Sequence, residues 1–475
     1  MEVEKTANGT DDLAEHNTPE LHKGLSNRHI QLIAIGGAIG SGLFMGSGKT
    51  ISLSGSSIVL TYMIVGFFMF IMMRAIGELL LSNTSYRSFV DFTSEYLGDW
   101  AGFFMGWSYW LCWLVSCIGD VVVIGGYIQF WYPDLSLWIP AVFSLLFLVG
   151  LNLFSVRNFG EIEFWFALIK VVAIIVLIVV GFSMIFSGFT SPNGVQASLS
   201  HIVENGSMFP HGAFGFIAGF QIAVFSFMGV ELLGITAGET KDPEKNLPKA
   251  INSIPLRIML FYVLSLICII SITSWKYVSP DKSPFVEVFS LAGIHAAAAL
   301  MNFVVLTSAL SAVNSSIFGT SRMLFGLACQ KDAPHVFEKL SNKKIPLRSL
   351  FFSCTGILIG VLLLIVIPSV MELYTLLSTI CAVLIVFVWA LMVLSYIKYR
   401  NDRPDLHIKS KYKMPAGILL SYLCLCFFSF VLVALLFEED TRMGMYIALI
   451  WFVWLAITFK QRKRINQFFW DRFGS

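Results

Sequence analysis

The chain has 475 residues, of which 56% are apolar and 13% charged, with a net charge of only +2. Soluble globular chains carry roughly 25% charged residues, so this composition excludes a soluble enzyme, and the near-neutral balance gives no reason to expect a nucleic-acid partner. A crossing of the bilayer needs about 20 apolar residues, and the length allows roughly a dozen.

Residues 1–27 are polar (Glu2, Glu4, Asp11, Asp12, Glu15, Glu20) with no apolar core to cleave behind. No cleavable signal peptide is expected, and the first span itself acts as the signal. Apolar segments follow near 28–53, 57–82, 99–130, 136–155, 162–187, 212–238, 254–276, 297–327, 348–367, 373–397, 416–437 and 443–460, twelve in all.

The first span is irregular. Gly36, Gly37, Gly40, Gly42 and Gly46 crowd into eleven residues, and each glycine costs a helix interior about 0.5–1 kcal/mol relative to alanine. The run predicts unwound chain or very close helix contact, the latter through a GxxxG pair at Gly36 and Gly40. Gly46-Ser-Gly-Lys-Thr50 imitates the end of a phosphate-binding loop. That motif needs glycine where Leu43 stands and a strand before it, so ATP binding is not expected.

Ionisable side chains inside spans are expensive and mark function by default. Glu78 closes the second span and reads as a cytoplasmic salt bridge or cap. Asp120 sits in the middle of the third, within Ser116-Cys-Ile-Gly-Asp-Val. It must face protein or water, for substrate or proton handling or as a structural hydrogen bond. Lys170 lies in the fifth span about six residues from its edge, roughly 9 Å deep at 1.5 Å per residue. Either it snorkels, or it faces the bundle interior, where low dielectric disfavours a charged form and suits the residue to carry a proton.

The sixth span is interrupted as well. It reads Phe225-Ser-Phe-Met-Gly-Val-Glu231, followed by Ala237-Gly-Glu-Thr-Lys-Asp-Pro-Glu-Lys-Asn-Leu-Pro248. Glu231 is a candidate for gating, proton relay or capping of exposed N–H groups; Glu239 reads as a cap or salt bridge; Phe225 is a candidate lid or ordinary core. Interrupted helices at corresponding positions, the first and the sixth, point to a transporter built from inverted repeats of five helices. A broken helix exposes N–H groups on one half and carbonyls on the other. The former suit a carboxylate and the latter an ammonium, so one cradle holds a zwitterion.

Charge placement sets the orientation. With both termini cytoplasmic, inside segments carry 27 of the 32 Lys and Arg, outside segments carry Lys49, Lys276, Lys282 and Arg442, and Lys170 is intramembrane; such asymmetry is the positive-inside pattern. The loop 188–211 has no Lys or Arg, as an external loop should. The eight cysteines (Cys112, Cys117, Cys268, Cys329, Cys354, Cys381, Cys424, Cys426) show no ligand spacing and read as packing residues. No metal or cofactor is expected. A channel would show a continuous polar stripe; an intramembrane enzyme would show paired Asp, Ser/His or metal-ligand sets; a sensor would usually carry a soluble output domain.

Three long strings carry a resemblance. They are Asn27 to Gly48, Gly229-Val-Glu-Leu with Ala237 to Ile251, and Leu306-Thr-Ser-Ala-Leu-Ser-Ala-Val-Asn-Ser-Ser with Ser321-Arg-Met-Leu. They resemble bacterial amino acid permeases of the amino acid–polyamine–organocation superfamily, over essentially the whole chain. Four further strings (Arg74–Asn83, Gln129–Ser136, Gly160–Lys170, Lys282–Phe289) resemble members that take small neutral amino acids, with Ser41 standing where threonine is expected.

The resemblance implies an all-α LeuT-like membrane fold. Inverted repeats would cover 28–187 and 212–397, two further helices 414–460, and cytoplasmic tails 1–27 and 461–475. It implies a proton-coupled symporter in a bacterial inner membrane, importing D-serine, D-alanine and glycine, or alternatively L-alanine, proline or an aromatic amino acid. It places the substrate carboxylate at Gly40, Ser41 and Gly42, beside Ile39. The amino group would meet carbonyls near Ala38 and at Phe225, Ser226 and Met228. Lys170 would stand where sodium-coupled relatives hold sodium, touching the first and eighth spans near Ser315. The proton or gate would rest on Lys170, Asp120 or Glu231. Oligomeric state is not legible.

Overall fold

The computed structural model describes residues 39–473 apart from 84–85, 87, 154–155, 193, 205 and 233–241, with only helical backbone at 156–160, 162 and 463–473. Regular structure among these residues is helical, save one isolated antiparallel bridge between Thr190 and Gln196. The helices used below are α1 Ser41–Phe44, α2 Gly46–Ser54, α3 Ile58–Ser82, α4 Phe89–Leu97, α5 Asp99–Gln129, α6 Trp138–Asn152, α7 Val156–Phe186, α8 Gly212–Ala218 and α9 Phe220–Ser226. They continue with α10 Pro243–Asn252, α11 Leu264–Ile272, α12 His295–Cys329, α13 Leu347–Val361, α14 Val370–Asp402, α15 Pro404–Lys409, α16 Gly417–Ala434 and α17 Glu439–Phe473.

Among the described residues nine helical stretches are long and apolar enough to cross a membrane, and Trp138–Asn152 and Gly212–Ser226 are shorter apolar helices. They follow the predicted segments closely. The stretch Gly46–Ser82 covers the last third of the first segment and all of the second, interrupted at Gly55, whose φ of +58° is left-handed. The seventh segment contains a π-helical turn at Ile258–Val263, a local unwinding of the kind that accompanies bends.

Two long helices form the centre: the most apolar windows of α5 and α14 are 78% and 83% buried, against 22% for α17 at the periphery. Helix α7 shows how an almost uniformly apolar sequence chooses its faces. Trp165, Val172, Val176 and Val179 are exposed, while Glu163, Lys170, Ile174 and Leu177 are buried. Both sets repeat at seven, four and three residues, the spacing of one helix face, and both charges lie on the inner one. Lys170 is only 2% exposed, so the snorkelling alternative is set aside: its ammonium points into the bundle.

At the end of α3, Glu78 is fully buried. Its carboxylate lies 2.5 Å from His407 Nδ1 and accepts from Tyr396 Oη and the Met414 N–H at 2.8 Å each. This ties α3 to α14, α15 and the segment leading into α16, in line with the salt-bridge or cap expectation. Glu239 lies outside the described residues.

Candidate functional site

Chain at Ile39 and Gly40 precedes α1 without being helical, and Gly40 is extended, with φ −120° and ψ −167°. The first N–H groups of a helix have no intrahelical partners, so the half-helix beginning at Ser41 presents donors to the space before it. A Cβ on Gly40 would meet nothing within 4 Å among the described residues, whereas one on Gly42 would sit 2.6 Å from Ser226 Oγ and 2.7 Å from its Cα, and one on Gly46 would collide with Ile222. Gly42 faces Ser226 and Gly46 faces Ile222, four residues apart on each side, so Gly42 lets α1 approach the backbone of α9 while Gly46 leaves room for the Ile222 side chain. Close packing runs through this pair. Of the alternative GxxxG pair, Gly40 has no such close neighbour among the described residues, and Gly36, like Ala38, lies outside them.

The second break follows α9. Residues Phe227–Glu231 are turns, and Gly229 has φ +97°, a conformation open chiefly to glycine. Glu231 is 1% exposed. Both its oxygens accept the Gly229 N–H at 3.1 Å, while Tyr109 Oη donates to Oε1 at 3.0 Å and Trp389 Nε1 to Oε2 at 3.3 Å. The carboxylate caps the unwound backbone and fastens it to α5 and α14.

Between the breaks lies a cavity of about 50 Å³. Gly40, Ser41, Gly42, Phe225, Ser226 and Met228, all anticipated as substrate contacts, line it, joined by Asp120, Trp113, Ser116 and Ala312. Asp120, read as a proton or substrate residue, is thus at the cavity itself. A chain of hydroxyls holds it: Tyr374 Oη donates to Ser41 Oγ at 3.1 Å, and Ser41 Oγ donates to Asp120 Oδ1 at 2.5 Å. The Ser226 carbonyl, expected at the amino group, accepts from Tyr262 Oη at 3.0 Å, so only its second lone pair remains for a ligand.

Behind the cavity, Lys170 Nζ donates to the Ile39 carbonyl at 3.4 Å and to Ser311 Oγ at 3.1 Å. It therefore touches the chain just before the first break and, at Ser311, helix α12. Ser315, one turn on, lies beside Glu163. Ile39 contributes its carbonyl to Lys170 and Ser308 rather than a wall of the cavity.

Glu163 is the residue that sequence reasoning missed. It is 1% exposed and accepts a 2.5 Å hydrogen bond from Ser311 Oγ. Its signal was available in Gly160-Glu-Ile-Glu-Phe-Trp-Phe-Ala-Leu-Ile-Lys170, because seven residues are close to two helical turns. Tyr374 and Trp113 were missed too, and nothing local in the sequence distinguishes them from the other aromatics.

The amino acid permease family model matches residues 29–469. The chain is 57% identical over 437 residues to the D-serine/D-alanine/glycine transporter of Escherichia coli K12, covering 92% of this chain and 93% of that one. It is 49% identical over 445 residues to the amino-acid permease AapA of Bacillus subtilis, covering 94% and 96%. It is 42% identical over 441 residues to the serine permease SerP1 of Lactococcus lactis, covering 91% and 95%. These relatives are named as transporters and permeases rather than enzymes, and the chain belongs to the amino acid permease family.

Proposed function

We propose that this chain is a proton-coupled importer of small neutral amino acids, with D-serine, D-alanine and glycine as substrates, working by alternating access. Twelve spans would form inverted repeats at 28–187 and 212–397, followed by helices in 414–460. Both termini, 1–27 and 461–475, would lie on the cytoplasmic side of a bacterial inner membrane.

The observation that carries this reading is the small cavity set between two broken helices. Its volume of about 50 Å³ is roughly a third of the 150 Å³ apolar cavity that accepts benzene, which favours glycine, alanine and serine over an aromatic substrate. The substrate carboxylate faces the donors at Gly40, Ser41 and Gly42. The ammonium faces Asp120 and the carbonyls at Phe225, Ser226 and Met228. Such a cradle grips only the groups common to all amino acids. Volume discrimination of a methylene is worth about 1–3 kcal/mol, so both enantiomers of a tiny side chain are acceptable to it. The name of the Escherichia coli relative supports the same substrates.

Lys170 supports protons as the coupling ion. Its ammonium already uses the Ile39 carbonyl and the Ser311 hydroxyl, oxygens of the kind a sodium ion would need. Release of a proton from Lys170 loosens its hold on Ile39, immediately before the break, and this links protonation to the shape of the site.

The test is uptake of labelled glycine into proteoliposomes under an imposed proton gradient, with glycine–glycine exchange measured beside it. Lys170→Met is expected to keep exchange and lose accumulation. A variant that still accumulates glycine would remove Lys170 from coupling and leave Asp120 and Glu231. Absence of glycine uptake by the unmodified protein would overturn the substrate assignment.

A further inference from the structure

The buried group that this reading leaves unused is Glu163. Its Oε1 accepts from Ser311 Oγ at 2.5 Å, and Ser311 Oγ in turn accepts from Lys170 Nζ at 3.1 Å. Ser311 therefore stands between the ammonium and the carboxylate, and the two hydrogen bonds run in one direction, from Lys170 through the hydroxyl to Glu163. The three residues are 2%, 0% and 1% exposed for Lys170, Ser311 and Glu163. The second oxygen, Oε2, is buried with no hydrogen-bond partner among the described residues, and Asn314 and Ser315 lie beside the carboxylate. Among the described residues, Glu163 on its own helix and Asp120 on α5, at the cavity, act electrostatically on Lys170.

We propose that Ser311 relays protons between Lys170 and Glu163, making Glu163 the group that releases the coupled proton on the cytoplasmic side. This rests on the proton-symport reading of Lys170. In the transfer, an N–H bond of the ammonium breaks and its proton bonds to Ser311 Oγ. The hydroxyl's own proton passes at once to Glu163 Oε1. Ammonium and carboxylate become amine and carboxylic acid, with no change in net charge. That matters because an unpaired ion in a low-dielectric interior costs several kcal/mol. The acid then gives its proton to water when its end of the bundle opens, and the amine takes a new proton from the cavity side. Direction follows from position: Glu163 precedes Lys170 by seven residues, about 10 Å along the helix, toward the end that the charge asymmetry places at the cytoplasm.

The test uses the full chain in proteoliposomes with a lumenal pH dye and labelled glycine. Accumulation, proton influx and glycine exchange are read for the unmodified protein, Glu163→Gln, Ser311→Ala and Ser311→Thr. Expected is loss of accumulation and of glycine-driven proton influx in Glu163→Gln and Ser311→Ala, with measurable exchange retained, and recovery of both in Ser311→Thr, which restores the hydroxyl. Variants that accumulate glycine and carry protons like the unmodified protein overturn the relay while leaving symport intact. Loss of exchange together with accumulation in both variants also overturns it, since that marks the pair as packing. An unmodified protein that moves glycine without protons overturns the symport reading itself, and the relay with it.

Discussion

Gly42 and Ser226 are in backbone contact: a Cβ built on Gly42 would fall 2.7 Å from the Ser226 Cα. This contact brings together the two interrupted spans on which the cavity depends. Gly40, two residues away, has no atom of the described residues within 4 Å of where its Cβ would be, and it lines the cavity. The two glycines should therefore fail differently. Gly42→Ala forces α1 and α9 apart, and overpacking of this kind costs about 1–3 kcal/mol; a lowered melting temperature in detergent and loss of glycine uptake are expected. Gly40→Ala should melt as the unmodified protein does but compete with substrate, raising KM for glycine. Equal thermal stability in both variants would contradict the assignment of close packing to Gly42.

The hydroxyl of Ser41 sits between Tyr374 and Asp120, accepting from one and donating to the other. A hydrogen bond to a charged group is worth about 1.5–3 kcal/mol. If this network positions Asp120 for the substrate ammonium, Ser41→Ala should weaken apparent glycine affinity by roughly ten- to a hundredfold. Ser41→Thr, which keeps the hydroxyl, should remain close to the unmodified protein. Competition of labelled glycine uptake by unlabelled glycine measures both. A fully active Ser41→Ala would show that Asp120 holds its place without the serine.

How much of this was legible in the sequence depended on contrast. Asp120 and Lys170 stand out because each is a lone charge in a long apolar run, and the structure buries both. Glu163 was passed over because the apolar run begins at its side, where a carboxylate has an ordinary reading at the water interface. The helix in fact starts at Val156, which puts Glu163 two turns inside. The glycine run announced a break and a close contact without saying which residue served which purpose. That division is set by Ser226 and Ile222 on another helix, nearly two hundred residues away. Trp113 and Tyr374 belong to a chain that is 15% aromatic, and only the folded arrangement shows one lining the cavity and the other bonding Ser41.

Glu231 has two competing roles that a single variant separates. Its carboxylate accepts from the Gly229 N–H, Tyr109 Oη and Trp389 Nε1, so among the described residues its hydrogen-bond partners are all donors. Glu231→Gln turns an NH₂ group toward one of these donors and leaves it unsatisfied, at a cost of about 1–3 kcal/mol. If Glu231 is the cap of the unwound segment, this variant melts lower but still accumulates glycine under a proton gradient. Retained stability with lost accumulation would make Glu231 a coupling residue instead.

The end of α17 offers a stability prediction with a defined sign. Asp332, in the turn after α12, accepts from Arg462 Nη1 at 3.2 Å, and Arg462 Nη2 reaches Asp99 Oδ2 at 3.3 Å. Burial raises the Asp332 carboxyl to about 6, outweighing the opposite pull of Arg462. An unfolded aspartate titrates near 3.9, so between these values the folded chain binds a proton that the unfolded chain has lost. Stability from this group is therefore fully present below about pH 4 and declines as the pH rises through about 6. Asp332→Asn is neutral throughout and removes that slope. Relative to the unmodified protein, the variant should gain melting temperature on going from about pH 5 to about pH 7.5, measured in detergent at constant ionic strength. A difference that stays flat across this range would mean that Arg462 fully offsets the burial and that the carboxylate remains ionised in the folded chain.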